Sequence, residues 1–170
     1  MQFEEVILPH LDAAYNLARW LTGNDDDAQD VVQDASLRAL RFFSGFRGGS
    51  GRAWLLTIVR NTFYNWLEEN RPKEFRVAAD EEVQAMEDHS VNPQVLIERS
   101  ANVEAVRRAI EKLPVEFREV IVLRELEECS YKEIADVAGV PIGTVMSRLA
   151  RARKQLQEVL SEDSEAGNYR

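Results

Sequence analysis

The sequence predicts an all-α protein built from two small helical domains that are joined by a linker. Three observations predict this fold class. The long segments place apolar residues at helical spacing, no segment alternates long enough for a sheet, and the periodicity is lost over an acidic stretch between Lys73 and Asn92. With 170 residues, 45% of them hydrophobic, the chain can form real cores, so disorder is excluded for most of it.

A domain of three or four helices is predicted at residues 1–72, and three of its helices can be assigned. Thr22-Gly23 ends the first helix. A run of acids, Asp25 to Asp27, begins the second helix because negative charge suits the positive end of a helix dipole. Pro72 ends the third helix, since the residue before a proline disfavours helical geometry. The predicted spans are from about Phe3 to Leu21, from Asp25 onward, and from Arg52 to Asn70.

An acidic linker at residues 73–99 leads to the second domain at residues 100–162, and the polar tail at residues 163–170 is predicted to be flexible. The helical pattern resumes near Pro93, with Val103, Val106, Ile110 and Leu113 in register on one apolar side, and Pro114 begins a further helix. Ser130 and Glu133 have the spacing of a capping box, which predicts the start of a short helix. Gly139-Val140-Pro141 then turns the chain into a last helix that reaches about Leu160.

The last two helices have the pattern of a helix-turn-helix, whose second helix lies in the major groove of DNA. At about 100° per residue, one stripe of the last helix is apolar: Val145, Leu149, Ala152, Leu156 and Leu160. The opposite face has no acid and carries small residues and cations: Gly143, Ser147, Ala150, Arg151 and Lys154. Small residues permit close approach to base edges and cations bind guanine or phosphate, so we interpret this face as a DNA reader and not as a solvated surface. Arg148 flanks the stripe, where a phosphate contact or a structural ion pair is expected.

The charge distribution supports contact with a polyanion despite a net charge of −9. Two windows, Ala35 to Leu67 and Val137 to Gln157, contain no acidic residue, and each contains several arginines. Either window alone is as well explained by a solvated helix face. Two such windows in one acidic chain favour two contact points on nucleic acid.

A glycine-rich loop at Gly45 to Gly51 invites comparison with a phosphate-binding loop of nucleotide hydrolases. That class is excluded, because a helix precedes the loop and neither the Lys nor the Ser or Thr of a Walker motif follows it. A plain connector and a basic loop that contacts nucleic acid both remain open. Asn61, whose amide both donates and accepts, could hold one unpaired base. The aromatic residues nearby could stack on bases or simply form core: Trp54, Phe63, Tyr64 and Trp66.

Enzymes, metal sites and cofactor sites find no support in the sequence. Cys129 is the single cysteine, and His10 and His89 lie far apart, so neither a metal cluster nor a catalytic triad is expected. No apolar run approaches the roughly 18 residues that cross a bilayer, and the acidic N-terminus is unlike a secretory signal. We therefore expect a cytoplasmic protein that is not inserted in a membrane, with no catalytic residue, metal or cofactor.

Three blocks of sequence, in this order and spacing, resemble the extracytoplasmic-function (ECF) sigma factors, which are small two-domain initiation factors of bacterial transcription. The blocks are DAQDVVQDASLRAL at Asp27 to Leu40, FRGGSGRAWLLTIVRN at Phe46 to Asn61, and LPVEFREVIVLRELEECSYKEIADVAGVPIGTVMSRLARAR at Leu113 to Arg153. The resemblance implies that the second helix docks on the clamp of core RNA polymerase through Asp30, Gln33 and Asp34.

The same resemblance implies two DNA-binding sets. The minus-ten set captures a flipped base and its flanking phosphates, and consists of Phe46, Arg47, Ser50, Arg52, Arg60 and Asn61. The minus-thirty-five set lies on the last helix and consists of Gly143, Thr144, Met146, Ser147, Arg148, Arg151 and Lys154. Met146 and Ala150 stand where some relatives place a basic or aromatic reader, so the promoter sequence does not transfer.

The resemblance implies three partners: core RNA polymerase, promoter DNA and an anti-sigma factor that masks the polymerase-binding faces. Two rival functions remain. A polymerase-independent regulator would bind a specific duplex as a stable dimer, but the first domain has no evident ligand pocket or phosphoacceptor. An enzyme would need a catalytic constellation, which the sequence lacks.

Overall fold

The computed structural model describes residues 2–70 and 103–168, with side chains up to Glu162. In these ranges every regular element is helical and no strand occurs, which confirms the predicted all-α fold of two helical domains. The predicted linker at residues 73–99, and the helical pattern that resumes near Pro93, lie outside the described residues.

The first domain consists of four α-helices and two short 3₁₀ turns. The α-helices are α1 (Phe3–Val6), α2 (Leu11–Thr22), α3 (Asp25–Phe42) and α4 (Gly51–Asn70). The 3₁₀ turns are Leu8–His10 and Phe43–Gly45. Helices α2, α3 and α4 pack on one another around a core in which Leu17, Leu55, Leu56 and Phe63 are at most 1% exposed.

The prediction of one helix from Phe3 to Leu21 is wrong at its beginning. The chain forms α1, then a 3₁₀ turn with Pro9 near its start, and only then α2. Proline has no N–H to donate and its ring clashes with the carbonyl four residues earlier, so an α-helix cannot continue through it. The break turns α1 onto the start of α4, where the glycine Gly51 accommodates Val6.

The boundary between α2 and α3 lies where it was predicted, and α3 has an N-cap residue that was not predicted. Gly23 has φ of 88°, a left-handed conformation that glycine adopts without steric cost, and its N–H donates to the Arg19 carbonyl. The side chain of Asn24 accepts a hydrogen bond from the Asp27 N–H at 2.8 Å. The acids therefore lie in the first turn, where they were predicted, and Asn24 is the N-cap.

The second domain contains the predicted helix-turn-helix. Its elements are α5 (Val103–Glu111), α6 (Val115–Ile121), a π-helical segment (Val122–Leu126), α7 (Tyr131–Ala138) and α8 (Ile142–Asn168). At the start of α7, Ser130 and Glu133 form the predicted capping box with each other's backbone N–H. Gly139, with φ of 69°, ends α7 in the left-handed conformation. The helix-turn-helix therefore consists of α7, the turn at 139–141 and α8.

Two details of the second domain differ from the sequence prediction. Val103, placed by periodicity on the buried side of its helix, is 76% exposed, whereas Val106 and Ile110 are buried as expected. Helix α8 continues to Asn168, beyond the predicted end near Leu160. Its last turns contain no proline and no glycine before Gly167, so nothing local stops the helix. The predicted apolar stripe is buried at Val145, Leu149, Ala152 and Leu156, and Leu160 is half-buried.

The two domains pack directly against each other. Helix α4 lies against α7, and α2 lies against α6. Polar contacts also cross between the domains: the Asn16 amide donates to Glu127 Oε1 at 2.8 Å, and Arg118 Nη1 donates to the Trp20 carbonyl at 3.0 Å. This packing decides the surroundings of several predicted site residues.

Candidate nucleic-acid interface

The glycine loop is anchored by an aromatic cluster at its second residue, Phe46. Phe46 is 8% exposed, stacks on Phe43 with ring centroids 5.7 Å apart and meets the edge of Trp54 at 5.4 Å. Its ring is thus part of the domain's packing and not free to meet a base. The following residues, Arg47 to Ser50, are exposed, and Gly48 and Gly49 have positive φ. The loop therefore presents one cation and glycine backbone to solvent from a fixed aromatic anchor.

Ser50 performs a structural task that the sequence analysis missed. Its Oγ accepts a hydrogen bond from the Ala53 N–H at 3.1 Å, which caps the free N–H groups at the start of α4. The signal was present in the sequence, since a serine directly before a helical run is typical of an N-cap.

Two arginines of the minus-ten set point to the second domain. Arg60 Nε donates to Glu119 Oε1 at 2.6 Å, and Glu119 is fully buried. Arg52 Nη1 donates to the Glu127 carbonyl at 2.9 Å, and its Nη2 lies 3.6 Å from Glu133 Oε2. These contacts join residues far apart in the chain, so helical periodicity could not reveal them.

Asn61 is exposed beside this cluster. Its Oδ1 accepts from Arg60 Nη1 at 3.5 Å, the outer limit of a hydrogen bond. Of the four aromatic residues near the loop, Phe63 is 1% exposed and belongs to the core. Tyr64 is half-buried and donates to Glu119 Oε2 at 3.2 Å. The amide of Asn61 is therefore available to a ligand, whereas these two rings are used within the protein.

One face of α3 combines acids with apolar side chains. Asp30, Gln33 and Asp34 are all exposed, and Asp34 pairs with Arg38 at 3.3 Å. The side of α3 facing the core is buried as predicted, at Ala28, Val31, Ala35 and Ala39.

The sequence analysis missed the apolar part of the exposed face of α3. Leu37 is 61% exposed and Leu40 is 58% exposed, at a helical spacing of seven and ten residues from Asp30. Large apolar side chains in contact with water next to charged ones are typical of a protein-binding surface. Helical wheel positions would have found this feature, because Leu37 lies opposite the buried alanines.

The predicted outward face of α8 is only partly exposed. Gly143, Met146 and Lys154 are exposed, and Thr144 and Arg151 are half-buried. Ser147 is 1% exposed, which contradicts its predicted outward position. Its hydroxyl donates to the Gly143 carbonyl one turn earlier at 3.0 Å, so this polar group is already satisfied within the helix. The position of a residue on an isolated helix does not determine its burial, because other parts of the chain can pack on that side of the helix.

Arg148 lies inside the second domain. It is 9% exposed, and its charge contributes to the electrostatic surroundings of the buried Glu119 carboxylate. Its burial removes Arg148 from the surface that a phosphate would reach, so the phosphate-contact alternative is not supported.

Reactive or metal-binding clusters are not found in the part of the chain that the structure describes. No group of three or more His, Cys, Asp or Glu side chains could hold a metal ion there. Burial raises the pKa of the Cys129 thiol to about 11, so it is a thiol and not a reactive thiolate at neutral pH. Among residues 2–70 and 103–168, no helix is long and apolar enough to span a membrane.

Two family models match the chain, and together they cover both domains. The Sigma-70 region 2 model matches residues 6–72, and the Sigma-70, region 4 model matches residues 103–156. The chain is 40% identical over 138 residues to the ECF RNA polymerase sigma-E factor of Escherichia coli, covering 76% of this chain and 72% of that protein. It is 33% identical to ECF RNA polymerase sigma factor SigE of Mycolicibacterium smegmatis, over 95% of this chain but 63% of that longer protein.

Solved structures lead to the same family. The sigma factor RpoE of Bartonella quintana, solved in complex with the anti-sigma factor NepR, matches with a TM-score of 0.71 and 31% identity, over 94% of this chain and 96% of that one. CnrH, solved in complex with the cytosolic domain of CnrY, matches with a TM-score of 0.65 and 27% identity, over 95% and 88%. With its sigma-70 regions 2 and 4 in this order, the chain belongs to the ECF family of RNA polymerase sigma factors, which are transcription initiation factors and not enzymes.

Proposed function

We propose that this chain binds core RNA polymerase through the exposed face of α3 and directs it to promoters that two DNA-binding surfaces read. The observation that carries the proposal is the composition of that face. Acids at Asp30 and Asp34 suit a basic partner, and exposed apolar side chains at Leu37 and Leu40 would be removed from water on binding. A surface of this composition is typical of contact with a protein and not of contact with DNA.

The first DNA-binding surface is proposed to be the glycine loop together with the start of α4. Arg47 and Ser50 are exposed in the loop, and the Asn61 amide can both donate to and accept from a base edge. Unpairing costs a few kcal/mol for each base, so a residue that holds the extruded base helps to keep the strands apart. Arg52 and Arg60 would steer the neighbouring phosphates once they are released from the second domain.

The second DNA-binding surface is proposed to be the N-terminal half of α8. Gly143 and Met146 are exposed at the start of the helix, and Arg151 and Lys154 supply cations on the following turns. This is the position in a helix-turn-helix at which side chains reach base edges in the major groove. Arg151 is proposed as a base reader and Lys154 as a phosphate contact.

An anti-sigma protein is proposed as the third partner. Two structural neighbours were solved in complexes: RpoE with the anti-sigma factor NepR, and CnrH with the cytosolic domain of CnrY. An anti-sigma protein of this chain would cover the α3 face and so compete with polymerase. Because its proposed partners are polymerase and chromosomal DNA, we propose that the protein acts in the cytoplasm.

A pull-down followed by run-off transcription tests the proposed function. The tagged full chain is incubated with purified core RNA polymerase and then with a library of genomic promoter fragments. We expect core polymerase to be retained, and a defined set of transcripts to appear that core polymerase alone does not make. Retention of a specific duplex by a stable dimer, without polymerase binding, would instead support the polymerase-independent regulator.

A further inference from the structure

The contact surface between the two domains is built from residues that the proposed function needs elsewhere. Arg52 and Arg60 of the first domain are proposed to contact promoter phosphates, and both are engaged by the second domain. In this packing the side chains of Arg60 and Arg52 are only 19% and 31% exposed, so the second domain hides most of each one from a phosphate. The domain packing and minus-ten binding therefore compete for these two arginines.

The central contact is an ion pair buried between α4 and α6. Arg60 Nε lies 2.6 Å from Glu119 Oε1, and the Arg60 side chain is 19% exposed, whereas that of Glu119 is fully buried. The Arg60 guanidinium also stacks on the Tyr64 ring, 4.3 Å from its centroid, and the Tyr64 hydroxyl donates to the second oxygen of Glu119. Both oxygens of this carboxylate are thus bound by the first domain.

The chemistry of this ion pair resembles that of a phosphate contact. A guanidinium binds a carboxylate and a phosphate oxygen with the same planar arrangement of N–H donors. Burial between the domains removes water that would otherwise weaken the pair, and separating the domains leaves both charges to be rehydrated or bound by another ion. A DNA phosphate is the ligand that would take the place of Glu119 on Arg60.

The second arginine repeats the arrangement at the edge of the contact surface. Arg52 donates to the Glu127 carbonyl and pairs with Glu133, which also caps α7. The Arg52 pair is more exposed than the Arg60 pair, so we assign it a smaller effect.

The separation of the two promoter elements requires the domains to part. Elements centred near positions minus ten and minus thirty-five lie about 25 base pairs apart, which is about 85 Å of duplex at 3.4 Å per base pair. Two small domains in direct contact cannot reach both. The packed arrangement is therefore a state in which the protein does not bind a whole promoter.

We propose that Glu119 is an internal competitor of promoter phosphate: by pairing with Arg60 and Tyr64 it holds the two domains together and keeps the free protein from binding DNA. This inference rests on the proposed function only for the identity of the DNA. Closure itself is a property of the free chain. Polymerase and promoter would have to open the pair before initiation.

Small-angle X-ray scattering of the free, full-length protein tests closure. A compact chain of 170 residues has a radius of gyration of about 15 Å. Glu119→Gln keeps the shape but removes the charge, and Arg60→Gln removes the other partner, so we expect both variants to scatter as more extended molecules than wild type. Asp136→Asn, at an exposed position of the same domain, removes one negative charge without touching the contact surface and should leave the curve unchanged.

Fluorescence anisotropy with a labelled single-stranded oligonucleotide of mixed sequence tests competition. If the open form is a minor state of at most about 10%, Glu119→Gln should raise the apparent affinity about tenfold or more. Arg60→Gln opens the protein but removes the phosphate contact, so its gain in affinity for the oligonucleotide should be clearly smaller than that of Glu119→Gln. Asp136→Asn controls for the change in net charge.

Two outcomes would overturn the inference. One is a scattering curve of Glu119→Gln identical to wild type, and the other is an affinity gain no larger than that of Asp136→Asn. Circular dichroism checks folding, and if Glu119→Gln loses helix, Tyr64→Phe replaces it, since this variant removes one bond to Glu119 and keeps the ring under Arg60. If the wild-type protein failed in run-off transcription, the proposed function would be refuted and this inference would not, because neither the scattering nor the anisotropy measurement uses polymerase.

Discussion

A Cβ atom added at Gly51 would lie 2.5 Å from the Val6 carbonyl oxygen and 2.8 Å from the Val6 Cγ1 atom. The start of α4 therefore contacts the end of α1 at a distance that only glycine permits. Gly51→Ala should destabilise the first domain by about 1–3 kcal/mol, because backbone atoms must move to relieve the overlap. This cost exceeds the gain of about 0.5–1 kcal/mol from replacing glycine in a helix.

Chemical denaturation followed by circular dichroism measures the effect of Gly51→Ala. Gly45→Ala is the matched control, since a Cβ at Gly45 meets no atom within 4 Å and its φ is not positive. Equal stability of the two variants would contradict the close approach of α1 and α4.

Charge reversal on α3 should weaken polymerase binding. Asp30→Lys combined with Asp34→Lys places like charge opposite the basic partner proposed for this face, which costs several kcal/mol across an interface. We expect at least about a tenfold loss of affinity for core polymerase in a pull-down titration, with helix content unchanged. Glu69→Lys, an equally exposed acid at the end of α4, should bind like wild type. Undiminished co-purification of the double variant would remove the assignment.

Replacing Asn61 should affect strand opening and not polymerase binding. Asn61→Ala is expected to form closed complexes normally but to show weaker permanganate reactivity of unpaired thymines, because nothing then holds the extruded base. Asn65→Ala is the control, since Asn65 is an exposed asparagine one turn further along α4. Normal opening together with lost polymerase binding would identify Asn61 as a structural residue.

Arg151→Ala should relax sequence recognition at one position. A bidentate contact to a base is worth about 1–3 kcal/mol of discrimination. We expect Arg151→Ala to lose this discrimination on a promoter selected with the wild-type protein. Competition against single-base variants of the minus-thirty-five element measures the loss. Lys154→Ala provides the comparison, because loss of a phosphate contact should weaken binding to all DNA sequences equally. Uniform weakening by Arg151→Ala would reassign it as a phosphate contact.

The capping box of α7 makes stability depend on pH. The hydrogen bond from the Ser130 N–H holds the pKa of Glu133 below its usual 4.5, and Arg52 acts in the same direction. The carboxylate form is thus favoured by folding, so its contribution is present above pH 4.5 and is lost as the pH falls through the lowered pKa. Glu133→Gln keeps the capping geometry without the charge. We expect wild type and this variant to differ in free energy of unfolding at pH 7 and to converge in acid.

Local signals predicted the helices well where the physics is local. Gly23, Ser130 and Gly139 mark helix ends through backbone conformation and hydrogen bonds within a few residues, and all three lie at the predicted boundaries. The prediction of a single long first helix is wrong because Pro9 interrupts the helix, although the apolar stripe continues through it in the sequence. The acidic face of α3 was visible in the sequence, and helical wheel positions contain the signal for its apolar extension at Leu37 and Leu40, which the structure shows to be 61% and 58% exposed.

The sequence by itself determined that this protein is two helical domains with a helix-turn-helix at the end, because helix periodicity, caps and turns depend on neighbours in the chain. Only the tertiary structure decided where Arg60 points. Its partner Glu119 lies 59 residues away, and the position of Arg60 in an acid-free window suggested nucleic acid instead. A buried charge must be paired with an opposite charge. Which residue supplies that charge depends on how the two domains pack, and the pattern of neighbouring residues in the sequence does not reveal it.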